Sequence, residues 1–204
     1  MTIAHPFSHS KQLLLVDDDR LVLTTLASGL TQAGYRVNTA ESAEEAEAWL
    51  AGGERPDLAI LDVRMPGQGG LYLAQRLREL DHIPFMMLSA FNDPDLVQQA
   101  TRIGALGYAV KPLQVPQLIP AIEAALARSQ ELKALQETRQ QLQTALSQER
   151  DINMATGITM MQHRLLRKAA FELLRTTARS RRIKLADLAA EMIQSAEKLN
   201  LDHK

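Results

Sequence analysis

The chain has 204 residues, 46% of them hydrophobic and 23% charged, which provides for a packed core and argues against global disorder. Cysteine is absent, which excludes disulfide scaffolds, thiolate metal sites, iron–sulfur clusters and cysteine nucleophiles together. The net charge of −1 conceals a gradient, from 9 Lys+Arg against 14 Asp+Glu in residues 1–122 to 10 against 6 in residues 151–204. A polyanionic partner is therefore expected to meet the C-terminal segment. Residues 1–11 are polar and read as a flexible N-terminus with neither a basic n-region nor an apolar h-region. No apolar run reaches 18 residues, so no membrane partner and a cytoplasmic address are expected.

From residue 12 to about residue 115, short aliphatic runs alternate with helical periodicity. Gln12–Val16, Arg36–Ala40, Leu58–Leu61, Pro84–Leu88 and Gly107–Val110 read as buried strands. Helices are predicted at Leu21–Ala33, Ser42–Ala51, Leu71–Leu80 and Pro94–Ile103. Gly34 fits a C-terminal cap, Ser42 with Glu45 a capping box, and Asp93 the position before a first-turn proline. Strict βα alternation predicts an α/β fold, a doubly wound parallel sheet with helices on both faces, over residues 12–120.

After Val115 the strand signals stop. Pro120 predicts a helix that starts late or kinks there. Residues 121–150 contain neither Gly nor Pro, and in one heptad frame Leu118, Ala125, Leu132, Arg139 and Leu146 occupy a positions. Ala121, Arg128, Leu135, Leu142 and Glu149 occupy d. Seven of these ten are apolar, which fits a two-stranded coiled coil with polar layers and hence a homodimer; the other reading is a long helix packed on its own domain. Residues 151–204 have helical periodicity throughout and suit a small helical bundle of two or three helices, marginal alone at roughly 50 residues.

Chemistry is concentrated at strand ends. Asp17, Asp18 and Asp19 follow the first strand, Asp62 the third and Lys111 the fifth. In an open parallel sheet, functional groups gather at the carboxyl ends of strands, beside the switch in strand order. Two carboxylates 4 Å apart repel by on the order of 4 kcal/mol at an effective dielectric near 20. A hard divalent cation relieves that cost, and oxygen donors without His or Cys favour magnesium over zinc. A strand-end Asp is also a common helix N-cap, and Asp19 fits that role alone.

These residues lie in LLLVDDD (13–19), LAILDVRMPGQGG (58–70), MMLSAFND (86–93) and GALGYAVKP (104–112). In order and spacing the segment 12–112 resembles the receiver domain of two-component response regulators, whose fold is the five-unit flavodoxin-like βα array. The resemblance implies that Asp62 accepts a phosphoryl group from the phosphohistidine of a sensor histidine kinase. It implies that Asp17, Asp18, Asp62 and the backbone carbonyl of Arg64 hold Mg2+, that Lys111 and Ser89 contact the phosphoryl group, and that Tyr108 swings inward as the switch aromatic. It also implies a cis Lys111–Pro112 bond. The sequence departs from the family at Gln68–Gly69–Gly70, where the middle position is more often Asp; this predicts a more flexible loop and an untouched site.

Taken as one helix, Arg164–Arg182 places Arg164, Lys168, Arg175, Arg179 and Arg182 within roughly 60° of one another, opposite Leu165, Leu166, Ala169, Ala170, Leu173 and Thr177. Such a stripe suits phosphate contacts or is simply a solvated face. Ile152, Ala155, Gly157 and Met160, then AFELLR (170–175), Ala178 and LADLAAEMI (185–193) make residues 152–193 similar to the ANTAR module, an RNA-binding antitermination domain found behind receivers. The resemblance implies a leader-RNA stem-loop as partner, met by Ala155, Gly157, Lys168, Arg175, Arg179 and Arg182. Residues 163–168 lack the family's usual Gly and Ser or Thr cap, which leaves the turn displaced toward Gly157 or unusually tight. Two other outputs fit the composition, a DNA-binding regulator and a signalling adaptor whose bundle binds protein. The C-terminal segment is too short for a catalytic output domain, so neither an enzymatic output nor a small-molecule substrate is expected.

Overall fold

The structure, a computed structural model, describes residues 10–90, 94–112 and 114–201. Most of the N-terminal segment 1–11 expected to be flexible, and Asp93, expected before the fourth helix, lie outside these residues. Five strands form one parallel sheet: β1 (Gln12–Val16), β2 (Arg36–Ala40), β3 (Leu58–Asp62), β4 (Phe85–Ser89) and β5 (Tyr108–Val110), in the order β2-β1-β3-β4-β5. The doubly wound α/β fold is the one expected. Strand order reverses between β1 and β3, so Val16 lies level with both Ala40 and Leu61.

Alternation along the strands divides the core in two. Leu14, Val16, Ala59, Leu61, Phe85 and Met87 pack with Ala43, Ala46, Leu50, Leu73, Ala74 and Leu77 on one face. Leu13, Leu15, Leu58, Ile60, Met86 and Leu88 pack with Leu23, Leu26, Leu30, Leu118, Ile122 and Leu126 on the other. The first set belongs to helices α2 (Ala43–Ala51) and α3 (Gly69–Arg76) with the turn that follows, and α4 (Pro94–Arg102) adds Ala100 to it; the second belongs to α1 (Arg20–Gln32) and α5 (Val115–His163).

Caps explain the helix ends. The Asp19 carboxylate accepts from the N–H of Leu21 at 2.8 Å and of Val22 at 3.3 Å. At the other end of α1, Gly34 (φ 98°) and Tyr35 donate to Thr31 and Leu30, a Schellman closure. Ser42 Oγ accepts from the N–H of Glu45, while the Glu45 carboxylate takes the N–H of Glu41 rather than that of Ser42. Helix α3 is shorter than expected, because Leu77–Asp81 widens into a π turn that closes on left-handed His82. The Ile83 N–H then meets the Leu77 carbonyl, and both side chains are buried.

The helix does not start late: α5 runs from Val115, and Pro116 and Pro120 both lie in its first two turns. An interior proline costs about 3 kcal/mol. Burial of Leu118, Ile122 and Leu126 offsets this at about 1.5–3 kcal/mol each.

The chain divides into two units, one up to Lys133 and one from Ala134. The first positions of the heptad frame, Leu118, Ala121 and Ala125, belong to the core of the first unit. The later ones, Leu132, Leu135, Leu142 and Leu146, are exposed.

The second unit closes around Ala155, Leu174, Ala178, Leu188 and Ala189, supplied by α5, α6 (Arg167–Arg181) and α7 (Leu185–Leu201). The turn between α5 and α6 is tight and lies at residues 164–166, whereas Gly157 is inside α5. Arg164 (φ 52°) and Arg182 (φ 56°) take the left-handed positions that close α5 and α6. Neither therefore belongs to the single helix expected over Arg164–Arg182. The buried stripe of α6 is Ala170, Leu174 and Ala178; Leu166, Ala169 and Leu173, expected within it, are exposed. What decides the inward face is contact with α5 and α7, which selects Leu174 over its neighbour.

Candidate functional site

The switch in strand order leaves a crevice at the carboxyl end of the sheet. Asp17 follows β1, and its N–H still pairs with the Ala40 carbonyl at 3.2 Å, so its side chain is fixed and fully buried. Asp18 is exposed at the rim. Asp19 turns away to cap α1, its own N–H donating to Asp17 Oδ1 at 3.1 Å. Asp62, the last residue of β3, is 5% exposed. One carboxylate oxygen from each of Asp17, Asp18 and Asp62 lies within 4.8 Å of the others.

Lys111 leaves β5 after its N–H has paired with the Ser89 carbonyl at 2.7 Å, and its bond to Pro112 is cis. Its Nζ stands 2.6 Å from Asp17 Oδ2 and 3.0 Å from Asp62 Oδ1. Burial pushes the Asp62 carboxyl up, Lys111 pulls it back, and Asp17 and Asp18 push it up again; it rests above the usual carboxylate value. For Lys111, burial works to lower the ammonium, but Asp17 and Asp62 outweigh it and hold it above its ordinary value.

Two carboxylates thus share one ammonium, with a third at the rim. Asp17 Oδ2 is buried in an ion pair that lacks hydrogen-bond alignment. An all-oxygen, net-negative donor set of this kind fits a hard divalent cation such as Mg2+ and does not suit zinc. Arg64 follows Asp62 by two residues on the loop leaving the same strand end.

Ser89 ends β4 one residue past Leu88, which is level with Asp62, and is buried. Tyr108 begins β5, level with Met87, and packs half-buried against the core face that includes Leu73 and Ala100. The structure therefore brings Asp17 and Asp62 into contact with Lys111, with an oxygen of Asp18 within 4.8 Å of both carboxylates, Ser89 on the neighbouring strand end and Tyr108 at the start of the strand that leads to Lys111.

Two contributors escaped the sequence reading. A Cβ on Gly70 would fall 1.8 Å from the Asp62 carbonyl oxygen, so the first turn of α3 presses on the backbone of the buried Asp. The signal was the pair Gly69–Gly70 at a helix start, read as mere flexibility. Glu44, at the start of α2, lies against Gly67, and its carboxyl is held below the usual range by hydrogen bonds to its own N–H, to Ser42 and to the Gln68 backbone. Helix α2 thereby ties down the loop that follows Asp62.

In the second unit, Lys168, Arg175 and Arg179 are exposed along one side of α6, away from its buried stripe, and Arg182 is exposed just beyond its end. Arg175 also lies 3.3 Å from Glu172. Ala155 is fully buried in the helical core, so it packs helices and is not an RNA contact. Gly157 is partly exposed, and a Cβ there would meet nothing within 4 Å. Among the described residues no helix is long and apolar enough to cross a membrane.

Residues 13–123 match the family described as the response regulator receiver domain, and residues 140–193 match the ANTAR domain. The chain is 32% identical over 186 residues to the transcriptional regulatory protein PdtaR of Mycobacterium tuberculosis, covering 91% of this chain and 90% of that one. It is 41% identical over 118 residues to the transcriptional regulatory protein AfsQ1 of Streptomyces coelicolor, covering 58% of this chain and 52% of that one. Among solved structures, the chemotaxis response regulator CheY4 of Vibrio cholerae superposes with a TM-score of 0.54 at 30% identity, covering 57% of this chain and 99% of that one.

Proposed function

The chain belongs to the response regulators, a receiver domain followed by an ANTAR domain, and from that premise we propose that phosphorylation of Asp62 controls the binding of structured leader RNA and so prevents transcription termination. The observation that carries the reading is the buried Asp17–Asp62–Lys111 contact with Asp18 at its rim. It supplies an acceptor, a cation site and a fixed positive charge at one strand-end crevice.

In this reading a carboxylate oxygen of Asp62 attacks the phosphorus of a kinase phosphohistidine. The P–N bond breaks, the histidine leaves, and an aspartyl phosphate forms. Mg2+, held by Asp17, Asp18, Asp62 and the Arg64 carbonyl, would neutralise charge on the transferring oxygens. Lys111 already sits between two carboxylates and needs only a small movement to pair with the new phosphoryl group. Ser89 donates its hydroxyl to that group, and Tyr108 follows as the packing around β5 rearranges. The acyl phosphate then shifts the receiver between two arrangements rather than creating a new one.

The output follows from the second unit. Lys168, Arg175, Arg179 and Arg182 offer an exposed cationic surface for phosphates, and Leu132, Leu135, Leu142 and Leu146 repeat along α5 at coiled-coil spacing. Pairing two copies through these leucines would present two weak RNA-binding modules together and raise avidity without new contacts.

The test is a competition titration over a range of salt, using full-length protein with Mg2+, with and without beryllofluoride as a phosphoryl mimic. Stem-loop RNA and duplex DNA of equal length compete. Preference for RNA, strengthened by the mimic and abolished by Asp62→Asn, is expected. Preference for DNA would make the protein a conventional transcription factor. Weak, equal binding that salt removes would direct the search to a protein partner.

A further inference from the structure

The turn between α5 and α6 encloses a shallow open cleft of about 420 Å³, lined by Asn153, Thr156, Arg167, Lys168 and Phe171. Its volume falls in the range of small-molecule sites. The lining combines one aromatic ring with two cations and an amide. Phe171 is 37% exposed although the core of this unit lies against the same helix, so part of its ring stays uncovered. Arg167 Nη2 donates to Asn153 Oδ1 at 3.0 Å. Because an arginine only donates, that contact fixes which end of the amide is oxygen, and it leaves the two amide protons of Asn153 without an acceptor among the described residues. Thr156 turns its hydroxyl to the Ile152 carbonyl at 2.7 Å, which leaves its methyl as wall. Gly157 is one helical turn from Asn153, and beyond its own helical turn no atom of the described residues comes within 4 Å of where a Cβ would be. A glycine inside a helix is unfavourable relative to alanine, and nothing in the internal packing here calls for one.

We propose that this cleft receives a single unstacked base of an RNA loop, with the Phe171 ring as its stacking face and the Asn153 amide as the reader of its edge. The inference rests on the RNA-binding reading above and specifies where and how bases, as opposed to phosphates, are recognised. Three features select this occupant. An aromatic face bordered by Arg167 and Lys168 matches a nucleotide, which carries a flat base and a phosphate in one unit. The segment from Arg164 to Arg182 holds seven cations and one acid, so the rim favours a polyanion. With its oxygen held by Arg167, Asn153 only donates, so the cleft favours a base edge that presents acceptors. The bare backbone at Gly157 leaves room for the sugar.

The experiment uses full-length protein with Mg2+ and beryllofluoride, and fluorescently labelled RNA hairpins that share one stem and carry all-adenosine, all-cytidine or all-uridine loops. The same stem as a blunt duplex is the fourth probe. Phe171→Leu, Asn153→Ala and, outside the cleft, Arg179→Ala are compared by anisotropy, with helical content checked by circular dichroism. Phe171→Leu is expected to weaken looped RNA by roughly 5- to 150-fold, the range for loss of one base–aromatic stack, and to leave the blunt stem unchanged. Asn153→Ala should shrink the spread of affinities among the three loops. Arg179→Ala should weaken all four probes alike. If Phe171→Leu and Asn153→Ala bind every loop as the wild type does while Arg179→Ala is weaker, the cleft assignment is overturned and RNA binding stands. If the wild type binds no RNA beyond a salt-labile background, the RNA reading fails and takes the cleft with it.

Discussion

The Asp62 carbonyl oxygen lies where only a hydrogen on Gly70 leaves it space: a methyl there would sit 1.8 Å away. The backbone of Asp62 and the first turn of α3 are thus a single packed unit. Gly70→Ala must displace one or the other, an overpacking cost of about 1–3 kcal/mol or more. The expected outcome is a lowered urea midpoint together with reduced phosphorylation by a small-molecule phosphodonor. Gly53→Ala is the control, since a Cβ there meets nothing within 4 Å, although its left-handed φ of 93° still carries a backbone cost. Equal loss of phosphorylation in both variants would make the Gly70 effect one of general stability rather than of packing against Asp62.

Removing the Asp62 carboxylate should stabilise the metal-free protein. The Asp62 carboxyl lies above its ordinary value, first because it is buried and then because Asp17 and Asp18 oppose its charge, with Lys111 compensating in part. A carboxyl raised on folding contributes stability that is complete below its unfolded pKa and is lost as pH rises through the folded one. At neutral pH the ionised form therefore costs stability. Asp62→Asn removes that charge and leaves Lys111 paired with Asp17. Its urea midpoint without Mg2+ should exceed that of the wild type at pH 7, with a gap that narrows toward pH 4. Adding Mg2+ should raise the wild type more than the variant.

Much of this was legible in the sequence because it rests on local rules. Short continuous aliphatic runs gave the strands, the Asp19 and Ser42 caps gave the helix starts, and strand-end placement assembled Asp17, Asp18, Asp62 and Lys111. What was not legible depended on contacts distant in sequence. Pro120 looked like a break because its penalty is local, whereas the burial of Leu118, Ile122 and Leu126 that overrides it is tertiary. Ala155 looked like a ligand contact because a small residue serves helix packing and close approach equally. Arg164 and Arg182 hid two helix ends, since both take left-handed conformations usually marked by glycine.

Tyr35 should give the protein an alkaline unfolding limb. Its hydroxyl donates to Glu123 Oε1 at 2.8 Å, joining the entry to β2 with α5. Burial first, then the hydrogen bond and charge of Glu123, raise the phenol well above its ordinary value near 10. The raised value means that the contribution is intact below pH 10 and lost as pH rises through the folded pKa. Tyr35→Phe should lower stability at pH 7 by about 1–3 kcal/mol, as for a hydrogen bond to a charged group. The difference from wild type should shrink above pH 10. A constant difference from pH 7 to 11 would show that the hydroxyl contributes by packing alone.

The exposed cations of α6 should act on phosphates without regard to sequence. Removing one cation that neutralises a phosphate lowers the slope of log affinity against log salt by about 0.7–0.9. Arg175→Ala should have a smaller effect than Arg179→Ala, because Glu172 lies 3.3 Å from the Arg175 guanidinium and already neutralises part of its charge. Salt titrations of the two variants on one hairpin decide this. Identical slopes for Arg179→Ala and wild type would remove that residue from the interface.

The leucines of α5 divide between two tasks, and substitutions should separate them. Leu118 is buried in the core of the first unit, so Leu118→Ala should cost about 2–5 kcal/mol in monomer stability. Leu142 is 61% exposed and has no such role within its own chain. If two copies pair through positions a and d, Leu142→Glu places like charges in the seam and leaves each monomer intact. Sedimentation equilibrium with beryllofluoride should then give twice the chain mass for wild type and a single chain mass for Leu142→Glu, with urea midpoints of the first unit unchanged. Affinity for stem-loop RNA should fall with the dimer, because two weak modules no longer bind together. A Leu142→Glu protein that remains dimeric would locate the pairing surface elsewhere than the exposed leucines between 132 and 146.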